Sequence, residues 1–136
     1  MVDAVQLLKN ERVLGEYQVQ IARPSRSGWV GGIPPLQATI TNRRLILVQQ
    51  TRRPHPPASI PYTYILKVAS LTLSRRRAVQ IRLRMGHHLH LFIGWSQGEE
   101  FADHLQSILI PSIRGHYQPE LSPEDLERLI EQINQL

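Results

Sequence analysis

The sequence predicts a small, mainly β domain with helices toward its C-terminal end, and three stretches carry this prediction. Residues 36–50, LQATITNRRLILVQQ, hold two apolar runs around Asn42. Because asparagine tolerates the positive φ of a tight turn, this stretch predicts a β-hairpin whose second strand is covered on both faces. Residues 79–85 and 88–93 alternate apolar and polar side chains, which is typical of strands with one buried face. After residue 96 the apolar period becomes that of an amphipathic helix.

Length and composition favour a single intracellular domain. The chain has 136 residues, 41% of them apolar, which is enough for one core and too little for two full domains. No stretch approaches the ~20 apolar residues that cross a bilayer, and the N-terminus lacks the basic and apolar regions of a secretory signal. We therefore expect a cytoplasmic protein, at most peripheral at a membrane. The absence of cysteine excludes disulfides, thiolate metal sites and cysteine nucleophiles.

The stretch before the hairpin predicts a short helix, a strand and a loop. Residues 3–9 favour one or two helical turns with Asp3 as N-cap. Residues 12–22 alternate around Tyr17, Val19 and Ile21 and predict the first strand. Residues 23–35, RPSRSGWVGGIPP, are punctuated by glycine and proline throughout, so they predict a loop.

The stretch after the hairpin predicts a second loop and four further strands. Residues 51–58, TRRPHPPA, contain three prolines, which exclude a central strand and predict an exposed connection. Residues 59–62 predict a short edge strand and residues 65–73 a longer one. A basic turn at residues 74–77 then leads into the two alternating strands named above.

Two helices are predicted after the last strand. Ser96 and Glu99 form a capping box, and the helix that follows has one apolar face. Residues 111–119 predict a linker, and Ser122 with Pro123 predicts the start of a second helix. We therefore divide the chain into a barrel with its capping helix, residues 1–110, and a linker with a C-terminal amphipathic helix, residues 111–136. The apolar residues of the two helices are Phe101, Leu105, Ile108 and Leu109 in the first, and Leu126, Leu129, Ile130, Ile133 and Leu136 in the second.

Three motifs resemble a known family. Residues 36–48, LQATITNRRLILV, resemble the T-N-x-R-L hairpin of GRAM domains and bacterial PH-like domains. Residues 14–16 resemble the Gly-Glu strand that precedes that hairpin, and residues 60–68, IPYTYILKV, are similar to the I-P-x-x-x-I-x-x-V segment that follows it. The resemblance covers residues 11–110. It implies a PH-like split barrel of about seven antiparallel strands capped by a helix, with the first strand-to-strand loop on the ligand side.

Arginine-rich loops provide the candidate binding site. In a meander, alternate connections emerge at the same end of the sheet, so the loops at 23–35, 51–58 and 74–77 are predicted to share one rim. If the barrel splits between its fourth and fifth strands, the third loop leaves that rim. Guanidinium forks bind phosphate bidentately, so the rim predicts recognition of an acidic lipid head group or an acidic protein, although charged turns are also often merely solvated. The candidate ligand-binding residues are Arg23, Arg26, Trp29, Arg52, Arg53, His55, Arg75, Arg76 and Arg77.

Trp29 and a pair of histidines each allow two interpretations. Trp29 lies in a glycine-flanked loop, where an indole serves either as an anchor at a membrane interface or as a lid on the barrel end. His88 and His90 project from the same face of one strand, as metal ligands do. Because no further ligands are apparent, we favour a solvated strand face on which they pair with Gln80 or Arg82.

The residue pattern favours binding over catalysis. No histidine lies near a serine or aspartate in a recognisable nucleophile arrangement, and no metal or cofactor motif is present, so we expect a non-enzymatic module without a cofactor. Nucleic acid is a weaker partner because the basic loops lack stacking aromatics apart from Trp29. The main rival to lipid recognition is a protein-interaction or self-assembly module that uses the sheet edges and the C-terminal helix. The acidic polar face of that helix argues against its lying on a membrane.

Overall fold

A computed structural model describes residues 7–52, 57–115 and 123–136 of the chain. Within these ranges the protein forms eight strands and two α-helices, together with single 3₁₀ turns at Tyr62–Tyr64 and Arg84–Gly86. The strands are β1 Val13–Ser25, β2 Gly28–Gly31, β3 Leu36–Thr41, β4 Arg44–Gln49, β5 Ala58–Pro61, β6 Ile65–Leu73, β7 Arg76–Leu83 and β8 His88–Phe92, and the helices are α1 Gly98–Gly115 and α2 Pro123–Asn134.

The sheet is antiparallel, and β1 is its central strand. The strand order is β5-β4-β3-β1-β8-β7-β6, with β2 paired to the end of β1. The first half of β1, from Val13 to Val19, pairs with β3, whereas Gln20 and Ile21 pair with β8. The last four residues of β1 pair with β2. The predicted class, a mainly antiparallel sheet with a helix after the last strand, is therefore confirmed. β1 joins the meander of β3, β4 and β5 to the meander of β6, β7 and β8.

The core follows the alternation seen in the sequence. In β7, Val79, Ile81 and Leu83 are buried, and β8 contributes Leu89 and Leu91 beside them. β4 is covered on both faces, as predicted, because three consecutive residues of it have no exposed surface. The helix α1 closes the layer with three buried residues from its predicted apolar face. These residues of β4 and α1 are Leu45, Ile46, Leu47, Phe101, Leu105 and Leu109.

The β3–β4 turn holds the segment that precedes β1. The Asn42 side chain accepts a hydrogen bond from the Arg12 backbone N–H at 2.8 Å and donates one to the Asn10 carbonyl at 3.1 Å. The Thr41 hydroxyl donates to Glu11 at 2.7 Å. Arg44 forms two further hydrogen bonds to Glu11, from Nε and Nη2, each of 3.0 Å. The hairpin motif is therefore an anchor for the chain before β1.

The hairpin prediction is right, but the reason given for asparagine at its turn is wrong. Positive φ angles at non-glycine residues occur at Asn10, Ser74 and Arg75, and not at Asn42. Asn42 instead uses both ends of its amide to bind the backbone of a distant segment. An asparagine amide has a carbonyl acceptor and an N–H donor, as a backbone peptide group has. The Asn42 side chain therefore binds the backbone of residues 10 and 12 as a neighbouring strand would.

Three predicted boundaries differ from the structure. β2 lies within residues 23–35, which were predicted as a loop, because β1 extends to Ser25 and provides a pairing edge. α1 continues through Pro111 to Gly115 rather than ending before a linker, so this proline lies inside the helix and not after its end. Of the helix predicted at residues 3–9, residues 3–6 lie outside the described residues, and residues 7–9 are not helical.

The C-terminal helix packs on its own barrel. Leu129 and Leu136 are 4% and 7% exposed and belong to the main core cluster, and Leu126 and Ile133 pack against it. The Gln49 side chain donates a hydrogen bond to the Gln135 carbonyl at 3.2 Å. The apolar stripe of α2 is therefore largely occupied within the chain.

Replacing Arg44 should destabilise the fold. Arg44→Gln leaves the buried Glu11 carboxylate without its cation, a change that costs on the order of 3 kcal/mol for a buried pair. Urea denaturation followed by circular dichroism measures this change in the free energy of unfolding. Arg43→Gln is the matched control, since Arg43 is exposed and its loss should cost less than about 0.5 kcal/mol. Equal stability of the two variants would contradict an anchoring role for the pair.

The same pair should make stability depend on acid pH. The Arg44 guanidinium lowers the pKa of Glu11 from 4.5 to about 2, against the opposing effect of burial. Because the unfolded chain binds this proton more readily, the stabilisation is complete above about pH 5 and is lost as pH falls toward 2. In Glu11→Gln this loss of stability between about pH 5 and 2 should disappear. Midpoints of urea unfolding, measured across that pH range, test this. An unchanged slope in Glu11→Gln would assign the acid sensitivity to other carboxylates.

Candidate functional site

The tip of the β1–β2 hairpin contacts the β6–β7 turn. The backbone N–H of Trp29 donates a hydrogen bond of 2.7 Å to the hydroxyl of Ser74. Gly28 has a φ of +120°, and a Cβ there would lie 2.6 Å from the same hydroxyl oxygen. Both the backbone conformation and the close approach therefore require glycine at this position. Two of the three predicted basic loops, 23–35 and 74–77, are thus brought together.

The arginines of these two loops fall into two groups. Arg23, Arg26 and Arg75 are exposed, and within the described residues their side chains make no hydrogen bond or ion pair. Arg76 lies 4.0 Å over the ring of Phe92 and donates to the Gln20 side chain at 2.8 Å. Arg77 lies 4.9 Å over the Trp95 ring and is half-buried, with a 3.4 Å contact to the Ser70 hydroxyl. The first group is available to a ligand, and the second group is already engaged in packing.

The start of the third predicted loop lies beside the 23–35 segment. The backbone N–H of Gln50 donates to the Pro35 carbonyl at 2.9 Å, which places the beginning of the loop beside the end of the 23–35 segment. Arg52 is exposed there. Arg53 and His55 lie outside the described residues, so their part in a binding site stays a prediction.

Trp29 lies in strand β2 and packs against the outer face of the sheet. Its ring centroid is 4.7 Å from that of His90, and it contacts a small cluster formed by Ala22, Ala78 and Phe92. This position differs both from an exposed membrane anchor and from a lid over the barrel end. Trp29 instead holds the hairpin against the sheet.

In or beside these loops, three exposed apolar side chains were not singled out from the sequence. Ile33 is 88% exposed, Trp95 is 61% exposed and Val30 is 47% exposed. Ile33 lies between two glycines and two prolines, and that composition was itself a signal, since a large apolar residue in such a loop has no strand partner to cover it. Val30 is paired with Arg23 in the β1–β2 ladder, and Ile33 follows the end of β2.

Charge is strongly segregated along the chain. Residues 17–98 contain eleven arginines and one lysine but no aspartate or glutamate, and all eleven acidic residues lie before or after this stretch. Within the described residues the ion pairs are Arg44 with Glu11 and Arg128 with Asp125. Most basic side chains of the barrel therefore have no carboxylate to neutralise them, a feature visible in the sequence that the net charge of +5 conceals.

The histidine pair lies on the outer face of β8, and Gln80 bridges it. The amide nitrogen of Gln80 is 3.4 Å from His88 Nδ1 and 3.2 Å from His90 Nε2. Burial and the neighbouring His88 lower the pKa of His90. The prediction that these rings pair with Gln80 is confirmed. Among the described residues no group of three or more histidine or acidic side chains is placed to hold a metal ion.

Comparison with known proteins identifies the fold. No protein-family model and no curated protein sequence matches the chain. Among solved structures, the Vps36 N-terminal PH domain is similar over 79% of this chain and 86% of its own length, with 13% identity and a TM-score of 0.65. The hSac2 domain of human phosphoinositide phosphatase Sac2 is similar over 86% of this chain and 82% of its own, with 11% identity and a TM-score of 0.58.

A longer protein shows the same likeness. The linker-DH/PH structure of p115-RhoGEF matches 82% of this chain and 32% of its own, with 11% identity and a TM-score of 0.56. At these identities the likeness shows the fold alone, and the narrower resemblance to GRAM domains stays a prediction. The described helices include none long and apolar enough to cross a membrane. The chain therefore has a PH-like fold.

Proposed function

We propose that this chain is a non-enzymatic binding module that attaches to an anionic membrane surface. The attachment uses a patch that we call the hairpin surface, formed by Arg23, Arg26, Val30, Ile33 and Arg75. One observation carries the proposal. The exposed Val30 is paired with the exposed Arg23, in a stretch of chain that lacks carboxylates.

The geometry of β2 supports this combination. Arg23 and Val30 are paired positions of the β1–β2 ladder, and directly opposite residues of an antiparallel pair share a face. Because side chains alternate along a strand, the packing of Trp29 against the sheet directs Val30 to the other side. A cationic and an apolar side chain are therefore displayed together.

The two kinds of side chain supply different energies. A basic residue near an anionic bilayer contributes about 1 kcal/mol, and burial of an isoleucine contributes about 1.5–3 kcal/mol. Neither alone holds a protein stably at a membrane, whereas an apolar insertion combined with a basic patch does. This surface differs from the rim predicted by sequence, because Trp29, Arg76 and Arg77 are engaged elsewhere and Val30 and Ile33 replace them.

The similar structures support the general class. One is a PH domain, and another belongs to a phosphoinositide phosphatase, an enzyme that acts on a lipid. A further similar structure, with a TM-score of 0.53, is a DH/PH fragment of PDZRhoGEF in complex with human RhoA. Binding of a protein partner is therefore the rival proposal. The packing of α2 on its own barrel weakens the version of that rival that uses the C-terminal helix. The sheet edges β5 and β6 are then what a protein partner would use.

Removal of two arginines from the hairpin surface should weaken membrane binding. We expect Arg26→Gln combined with Arg75→Gln to lower the partition coefficient on phosphatidylcholine–phosphatidylserine vesicles roughly 30-fold, since each contributes about 1 kcal/mol. Co-sedimentation at about 0.1 M salt measures this change. The control combines Arg12→Gln and Arg43→Gln, which remove the same charge from exposed positions at the other end of β1 and should bind nearly as wild type.

Two further measurements decide between the candidate functions. Ile33→Ser should also weaken binding while leaving the net charge unchanged, which separates apolar insertion from simple attraction. Binding that persists at about 1 M salt, or an equal loss in the Arg12/Arg43 control, would contradict the proposed surface. Absence of binding at low salt would favour the protein-interaction class.

A further inference from the structure

A second basic feature lies on the outer face of strands β6, β7 and β8. Lys67 of β6 is paired with Arg82 of β7, and Arg82 is paired with His88 of β8. Paired positions on adjacent strands share a face, and strands lie about 4.8 Å apart, so the three side chains form a row about 10 Å wide. All three are exposed. We call this row the cation row.

In the part of the chain that the structure describes, no carboxylate forms an ion pair with the cation row. Lys67 and Arg82 are like charges at directly opposite positions, which destabilise an antiparallel pair. None of the three strands contains an acidic residue, and no described ion pair involves Lys67, Arg82 or His88. The arrangement therefore carries a repulsion that the protein itself does not relieve. A bound anion would relieve it.

The neighbouring row orients His88 for this purpose. Gln80 lies next to Arg82 on the same face of β7, and its amide nitrogen faces Nδ1 of His88 at 3.4 Å. An amide nitrogen donates, so Nδ1 is the acceptor in this contact and Nε2 is the ring nitrogen that can donate to a ligand. Gln80 is paired with Ala69, whose short side chain leaves space beside the long side chains of the row.

We propose that the cation row binds a phosphomonoester group. The central Arg82 fork contacts two phosphate oxygens, Lys67 supplies a second charge and His88 Nε2 donates a third hydrogen bond. The row is distinct from the hairpin surface, because Arg75 directly precedes β7 and Arg82 lies six residues further along that strand than its first residue, or about 20 Å. The proposal therefore stands independently of membrane attachment by the hairpin.

A titration with a soluble phosphomonoester tests the site. ¹⁵N-labelled full chain is titrated with glycerol 3-phosphate, and chemical shifts are followed by NMR. We expect concentration-dependent shifts at residues 67, 82 and 88 and at the Gln80 side-chain amide. Arg82→Gln should weaken the affinity at least about tenfold, as loss of a charge-assisted contact does. Arg43→Gln is the control for net charge and should match wild type.

Vesicles distinguish the two sources of such a group. If the ligand is a lipid head group, wild type should prefer phosphatidic acid vesicles over phosphatidylserine vesicles of equal surface charge. Arg82→Gln should then lose the preference but keep its binding to phosphatidylserine. If the ligand is a free phosphomonoester, glycerol 3-phosphate binds without any vesicle preference. The Arg26/Arg75 variant should retain the glycerol 3-phosphate shifts, so failure of the hairpin surface and failure of the cation row are separable.

Three results would overturn the proposal. The first is an absence of shifts at the cation row in the folded wild-type chain. The second is an affinity for glycerol 3-phosphate in Arg82→Gln equal to that of wild type, with the dispersion of the NMR spectrum confirming that the variant is folded. The third is a stronger response of the same residues to a single-stranded oligonucleotide, which would assign the row to a phosphodiester backbone.

Discussion

A buried ion pair between Glu11 and Arg44 joins the start of the barrel to its β3–β4 hairpin. The Glu11 side chain has no exposed surface, so its charge is tolerated only because donors surround it. Two come from Arg44, one from the Thr41 hydroxyl and one from the Leu8 backbone N–H at 2.9 Å. The Tyr62 hydroxyl hydrogen-bonds to the Arg44 carbonyl at 2.8 Å, which adds the connection after β5 to the same network. Three distant parts of the chain are thereby placed relative to β1.

The position of β1 then determines what the hairpin displays. β1 has three partners along its length, and its last residues pair with β2 after it has left β3. The cluster of Ala22, Ala78 and Phe92 receives Trp29 on the outer face of the sheet. Since a strand alternates its side chains, the burial of Trp29 exposes Val30 beside Arg23. The hairpin surface is therefore a consequence of packing on the opposite side of β2.

Segregation of charge underlies both of the proposed binding surfaces. The carboxylates are confined to the segment around the start of β1, the two helices and the chain between and before them. Surface cations without partners keep their full attraction for an external anion, because no internal ion pair competes. Both the hairpin surface and the cation row rely on this absence. The single buried carboxylate of the network, Glu11, is already committed to Arg44.

Much of the fold could be predicted from the sequence because strand and helix periods are local properties. Alternation identified the buried faces of β7 and β8, and the 3.6-residue period identified the apolar face of α1. The T-N-x-R-L motif indicated the hairpin and the PH-like fold. β2 was missed because it has four residues, two of them glycine, and depends on the extended end of β1 for its partner.

The proposed hairpin surface differs from the rim predicted from the sequence, for a physical reason. Arginine-rich loops are visible in a sequence, but the loops that meet depend on where β1 changes partner from β3 to β8, which is a property of the closed sheet. Likewise, whether an arginine is available or stacked, as Arg77 is on Trp95, depends on residues distant in the chain. The sequence by itself determined the class of fold and the supply of unpaired cations. Tertiary structure alone decided which of them face solvent together, because long-range pairing is not encoded in local periodicity.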